Sequence, residues 1–198
     1  GSTGLTIADN VVDEANLKVS NSPTDGYVLT AQSGNTGGLT WAAQSSGGGV
    51  TSDAQKNTVG GTNAGDSFSG TDAIENTLFG YDAGTDITTA DSNVAIGYQA
   101  GANITTGGLN TAVGVSCLDA CTSGSYNVAM GVSAAGEITS GTHNTAIGPS
   151  ALQNATTGFE NTAIGGSAGI NTTTGYNNVY VGNGAGNQTT TGHSNVLV

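Results

Sequence analysis

Five sets of residues in this chain of 198 carry groups able to do chemistry. Gly165-Gly-Ser-Ala-Gly169 matches the Gly-x-Ser-x-Gly elbow, which presents a nucleophilic serine and requires a strand-to-helix turn and a placed histidine. The same places elsewhere read Gly148-Pro-Ser-Ala-Leu152 and Gly182-Asn-Gly-Ala-Gly186, so the match follows from a recurring pattern and Ser167 is expected to be structural. Cys117 and Cys121 are the two cysteines of the chain. They stand where sister segments carry Ala and mostly Ile, Thr or Ala, which reads as two small buried hydrophobes; a local disulfide or a metal pair is the alternative. His143 and His193 have no Cys or carboxylate cluster at ligand spacing and read as solvated corner residues. Asn103, Asn154, Asn171 and Asn187 head glycosylation sequons that arise from the repeat itself. Paired carboxylates for sugar hydrolysis are not in evidence, since beyond Asp91 the acids are Asp119, Glu137 and Glu160. The expectation is no enzyme, no metal and no cofactor.

The element that positions all of these is a repeat. Asparagine stands at Asn76, Asn93, Asn110, Asn127, Asn144, Asn161, Asn178 and Asn195, each 17 residues after the last. Glycine answers at the fifth place, at Gly80, Gly97, Gly114, Gly131, Gly148, Gly165 and Gly182. Threonine answers at the thirteenth, at Thr88, Thr105, Thr122, Thr139, Thr156, Thr173 and Thr190. A period that never slips is the signature of a solenoid, whose successive units bury one another.

Seventeen residues with Gly-marked corners are too short for a helix pair, and Gly and Thr are poor helix formers. Places one to four alternate in character, which predicts a strand with two different faces. A second short strand is expected at places twelve to fourteen, as in Ile104-Thr-Thr106. Parallel stacking at about 4.8 Å per coil gives eight coils a length of roughly 35 to 40 Å, with Asn above Asn in an amide ladder and Thr in a similar column. The backbone entropy of ordering each coil exceeds what a few small apolar side chains return. A second buried face is therefore expected, supplied by the small Ala of places three and eight, with identical chains packed around an axis.

The fold class predicted is all-β: a parallel β-solenoid of 17-residue coils, as an intertwined or side-by-side homotrimer, preceded by a small strand-and-turn module. Residues 1–44 form that module, with short branched or aromatic runs at Leu5-Thr-Ile7, Leu17-Lys-Val19, Tyr27-Val-Leu-Thr30 and Leu39-Thr-Trp41 between turn-rich separators. A helical turn at residues 11–17 is the alternative there. Residues 45–56 have the composition of a Gly/Ser linker. Residues 57–75 are an irregular copy, 19 residues long, suited to capping the first coil, and residues 76–198 are the regular solenoid.

Fourteen acids against Lys18 and Lys56 give a net charge of −12, so nucleic acid and anionic bilayers are disfavoured as partners. Eight of the acids precede Asn76, and beyond Asp91 the acids are Asp119, Glu137 and Glu160 with no Lys or Arg, so the repeat surface there is expected to be near neutral and polar. No apolar run of about 18 residues is present, so no membrane insertion is expected. No basic-then-apolar leader is visible at the start of the sequence.

Units such as Asn93-Val-Ala-Ile-Gly-Tyr-Gln-Ala-Gly101, followed by Asn-x-Thr-Thr-Gly, resemble the repeats of trimeric phage tail fibres. They are also similar to the parallel β-roll heads of trimeric autotransporter adhesins. The segment Asp25-Gly-Tyr-Val-Leu-Thr-Ala-Gln-Ser-Gly-Asn-Thr-Gly-Gly-Leu-Thr-Trp-Ala-Ala43 resembles a motif of virion fibre proteins of marine phages, which favours a virus. The resemblance implies a homotrimeric virion fibre for host attachment, in contact with other virion proteins. A capsid-attached fibre or decoration protein, or a bacterial surface adhesin or matrix fibre, is the alternative. Tyr81, Tyr98, Tyr126, Phe159 and Tyr176 fall at the variable corners, where a solenoid often carries its binding face, and a host cell-surface saccharide is the expected contact there.

Overall fold

The computed structural model describes residues 50–69 and 71–198, together with the backbone of two strands, Tyr27–Ala31 (β1) and Leu39–Ala43 (β2). The chain divides into two compact units, Gly1–Gly47 and Gly48–Val198. In the first, β1 and β2 pair antiparallel with Tyr27 opposite Ala43 and Leu29 opposite Trp41, as expected for two β-branched and aromatic runs separated by turn-forming residues. The runs at residues 5–7 and 17–19 and the alternative helical turn at 11–17 lie outside the described residues.

The second unit is the solenoid. One ten-stranded sheet runs through it in order from β12 to β3, and each coil contributes one strand. β4 (Thr58–Gly60) belongs to the cap coil; β5 (Thr77–Phe79), β6 (Val94–Ile96), β7 (Thr111–Val113) and β8 (Val128–Met130) follow. β9 (Thr145–Ile147), β10 (Thr162–Ile164), β11 (Val179–Val181) and β12 (Val196–Leu197) complete the parallel ladder. The register is that of the repeat: Ala95 pairs with Ala112, Ala112 with Ala129, Ala129 with Ala146 and Ala146 with Ala163. β3 (Thr51–Ser52) pairs antiparallel with β4 and covers the edge that the first coil would otherwise leave open, so the end of the stretch read as a linker is part of the solenoid. The two extra residues of the cap coil fall between Ser69 and Ala73, because Ser69 and Ala73 make the bonds of places thirteen and fifteen.

Two expectations change. The Ala columns of places three and eight do not face another chain; Ala95, Ala112, Ala129, Ala146 and Ala163 and Ala100, Ala134, Ala151 and Ala168 are buried inside the coil. The strand pleat turns place three inward with the Asn of place one, so the larger residues of places two and four face outward. Nor do places twelve to fourteen form a second strand. The amides of Thr105, Thr106 and Gly107 converge on the single carbonyl oxygen of Thr122 at 3.0, 3.1 and 3.3 Å, a concave turn in place of a ladder.

The interior is filled by a rule that links places three, nine and twelve of each coil. Where place nine is Gly101, Ile104 fills the space beneath it; where place nine is Leu118 or Leu152, place twelve shrinks to Cys121 or Ala155. Leu118, Ala135 and Leu152 adopt φ near +50°, a left-handed conformation that Gly tolerates better, and hold it because their side chains close the core. At Gly131 the backbone has φ 138°, and an added Cβ would stand 2.6 Å from the carbonyl oxygen of Gly148 in the next coil. Both the conformation and the inter-coil spacing therefore demand glycine at place five. In the penultimate rungs Tyr180 replaces Ala at place three and lies fully buried under Gly169, with its hydroxyl 3.3 Å from Thr172 Oγ1.

Tyr180→Ala should destabilise the solenoid by about 3 to 5 kcal/mol in thermal melts followed by circular dichroism. Gly169→Ala, whose Cβ would lie 2.6 Å from Tyr180 Cδ2, should be destabilising alone and much less so in the Tyr180→Ala background, a coupling that a double-mutant cycle reads directly.

Candidate functional site

The repeated asparagines form one continuous buried column. Asn93 Nδ2 donates to Asn76 Oδ1 at 3.2 Å and to the carbonyl of Gly107, place fifteen of its own coil, at 3.0 Å. Asn93 Oδ1 in turn accepts the Asn110 amide at 3.0 Å and Asn110 Nδ2 at 3.1 Å. Two donors and two acceptor positions are thereby all used, the condition under which a primary amide can lie in a core. The pattern repeats through Asn127, Asn144, Asn161 and Asn178 to Asn195. Glycine or Ala90 at place fifteen follows from it: the Asn reaches that carbonyl in every coil, and a Cβ at Gly158 would meet the oxygen of Gly175 at 2.6 Å.

The column has a built start that the repeat did not announce. Asn57 belongs to it, and below Asn57 stands Asp53, whose Oδ1 accepts the Asn57 amide at 2.8 Å and whose Oδ2 accepts Asn57 Nδ2 at 2.9 Å. A carboxylate here supplies the acceptors that a preceding asparagine would give. Burial pushes the Asp53 carboxyl up, but the bonds from Asn57 and the backbone outweigh it and hold the group below its ordinary 3.8.

A second column is made by the threonines of place thirteen. The hydroxyl of Thr88 donates to the carbonyl of Thr105 at 3.1 Å, Thr105 to Thr122 at 3.0 Å, and so on to Thr173 and Thr190 at 3.2 Å. Threonine recurs because its hydroxyl joins the amides already aimed at that carbonyl.

The corner residues are brought together in files. Tyr81 stacks on Tyr98, with centroids 5.7 Å apart. Tyr126 stacks on His143 at 4.7 Å, and Phe159, Tyr176 and His193 form a file at 4.9 and 4.7 Å. These last spacings are those of the ladder itself, since identical places in parallel coils sit one rung apart. Ring faces inside each file are thus occupied by neighbours, and the edges and the outermost faces are what a ligand would meet. The histidines expected to be plain solvated corners are exposed at one edge and stacked on an aromatic face.

Cys117 and Cys121 are free and buried, and burial pushes their thiols up to about 12 and about 11, so neither is a nucleophile near neutrality. Ser167 sits in a coil turn with φ 55°, its amide bonded to the Pro149 carbonyl; no helix follows, so the elbow geometry does not form. The sequon residues are held by neighbouring rungs: Asn154 Nδ2 donates to Asn171 Oδ1, and Asn171 Nδ2 to the Asn187 carbonyl. Burial, and then the charge of Glu137, raise the Asp119 carboxyl. Among the described residues no three His, Cys, Asp or Glu stand together as metal ligands, and no helix is long and apolar enough to cross a membrane.

One surface went unmarked in the sequence reading. Outward from the sheet, Ile96, Met130 and Ile164 are each 41% exposed and Ile147 37%, in a single file at place four. The signal was present in the alternation, which places β-branched residues at two and four, but the small size of Ala at three concealed which side was inside. None of the protein-family models, curated proteins or solved structures compared with this chain matches it.

Asn127→Ala removes the acceptor of the Asn144 amide and Nδ2, takes one of its two donors from Asn110 Oδ1, and leaves the Gly141 carbonyl unpaired; a loss of about 3 kcal/mol or more is expected in denaturant unfolding. Asn195→Ala, at the last rung, should cost about 1 kcal/mol or less by the same measurement. A carboxyl whose folded value is depressed stabilises above its unfolded value. The Asp53 contribution should therefore be complete above pH 3.8 and fade as pH falls through the lower folded value, and Asp53→Ala should flatten that part of the acid-unfolding profile.

Proposed function

We propose that this chain is a segment of a bacteriophage virion fibre, a homotrimeric tail-fibre rod that holds a host-attachment surface away from the particle. The observation that carries the reading is the pair of unbroken hydrogen-bonded columns, Asn from Asp53 to Asn195 and Thr from Thr88 to Thr190, running the length of the solenoid. A rod whose every rung is tied to the next by side chain and backbone resists bending and leaves a protease little unpaired chain to enter. Such a part serves as a spacer, and its chemistry is that of reach and stiffness.

The viral assignment is supported by the likeness of the segment from Asp25 to Ala43, which contains β1 and β2, to marine-phage fibre proteins. That unit joins the fibre to the particle or to another fibre segment. Host contact is made at the corners, at the edges and outermost faces of the files that hold Tyr81, Tyr98, Tyr126, Phe159 and Tyr176. A saccharide is the ligand such edges suit, each weak contact multiplied by the symmetry of the assembly.

Mass spectrometry of density-purified phage particles and immunogold labelling with an antibody to the solenoid test the reading. The chain is expected in the virion, with label on the tail. Label on the capsid would replace the tail assignment by a capsid fibre, and detection on the bacterial surface but not in particles would overturn the viral assignment.

A further inference from the structure

Among the described residues of the solenoid, no further strand packs on the outer face of the sheet. Through the seven regular coils, places two and four carry Thr, Val, Phe, Ile and Met and no charged residue. An antiparallel or parallel sheet that stays wet on one face usually shows polar residues there. Here the file at place four presents β-branched or long apolar side chains to solvent, at Ile96 and on the consecutive rungs of Met130, Ile147, Ile164 and Val181. We infer that this face is where copies of the chain pack on one another around a common axis, an inference that rests on the fibre reading and assigns its interface.

Two observations select a second copy over another occupant. The apolar side chains are spaced by the ladder at about 4.8 Å, and only a surface with the same spacing can interleave with them rung by rung; another copy has it by construction. The face is neutral, so copies approach without the repulsion that a net charge of −12 would impose through a charged face; beyond Asp91 the acids sit at places ten, eleven and seventeen, away from the strand. Seven three-residue rungs make a strip of about 34 by 10 Å, so each copy covers roughly 340 Å² of it, and the strip needs the side chains that border it to reach the area of a specific association. Val115 and Val132 at place six are about half exposed, adjoin the strip and extend it.

The arrangement corrects which residues would meet: Ile, Met, Val and Phe of places two and four, with the Ala columns kept inside each chain. It also makes Met130, the one methionine of the chain, a reporter at the middle of the strip.

The test uses the full chain. Sedimentation velocity should give a mass of three copies, and the triple variant Ile96→Asp, Ile147→Asp, Ile164→Asp should sediment as a single chain with an unchanged β-type circular dichroism spectrum. Thr174→Asp, exposed on the turn side, should leave the assembly intact. Peroxide oxidation of Met130, mapped by peptide mass spectrometry, should be roughly tenfold or more slower in the unmodified assembly than in the free amino acid. That comparison holds even if the triple variant fails to fold. An assembly that survives the triple substitution, or in which Met130 is oxidised at the free rate, overturns this face while leaving the fibre reading to the virion experiment. A chain that sediments alone at every concentration overturns it as well.

Discussion

A buried primary amide is tolerable only if both hydrogens and both lone pairs are used, and the solenoid is arranged so that each asparagine of place one meets that demand through its neighbours. The side-chain oxygen takes two bonds from the coil above, and the nitrogen gives one to the coil below and one across its own coil. Because each residue is satisfied only by its counterparts, the column fixes the register absolutely: a slip of one residue would leave every amide in the core unpaired. The period of 17 residues is the sequence image of this constraint. Asp53 closes the column at its start with the two acceptors that the pattern requires and needs no donor in return.

Around that column the core is small and tightly accounted for in volume. A Leu at place nine is accompanied by Cys or Ala at place twelve, an Ile at place twelve by Gly or Ala at place nine, and Tyr180 by two glycines and Thr172. Such compensation is what close packing enforces where coils cannot move apart, since the ladder sets their separation. It explains why residues as unlike as Cys121 and Ile138 occupy the same place twelve.

Much of this was legible from spacing alone. The Asn column, the Thr column, the glycines of place five and the parallel β architecture all follow from recurrence and residue type. What was not legible depends on which way a three-residue strand faces. Ala at place three and Ile at place four are both apolar, so the pattern left the inside undecided, and the requirement that Asn be satisfied decided it. Tyr180 looked like the other tyrosines in type but sits at place three, inside, whereas Tyr81 and Tyr98 sit at place six, outside. The expected second strand failed because three successive amides share one carbonyl, an arrangement that no propensity of Ile, Thr and Ser announces. Asp53 lay in a stretch whose glycines and serines suggested a tether.

The constancy of sequence separation between rungs has a kinetic side. Each new coil docks on the one before it by closing a segment of the same modest length, so the entropic penalty of adding a rung does not grow as the rod lengthens. The first rung is different, for it has no predecessor to dock on, and it is the one that carries β3 and Asp53. Being nearer the amino terminus, that rung leaves the ribosome before the coils that stack on it, so its capped edge is available when they emerge.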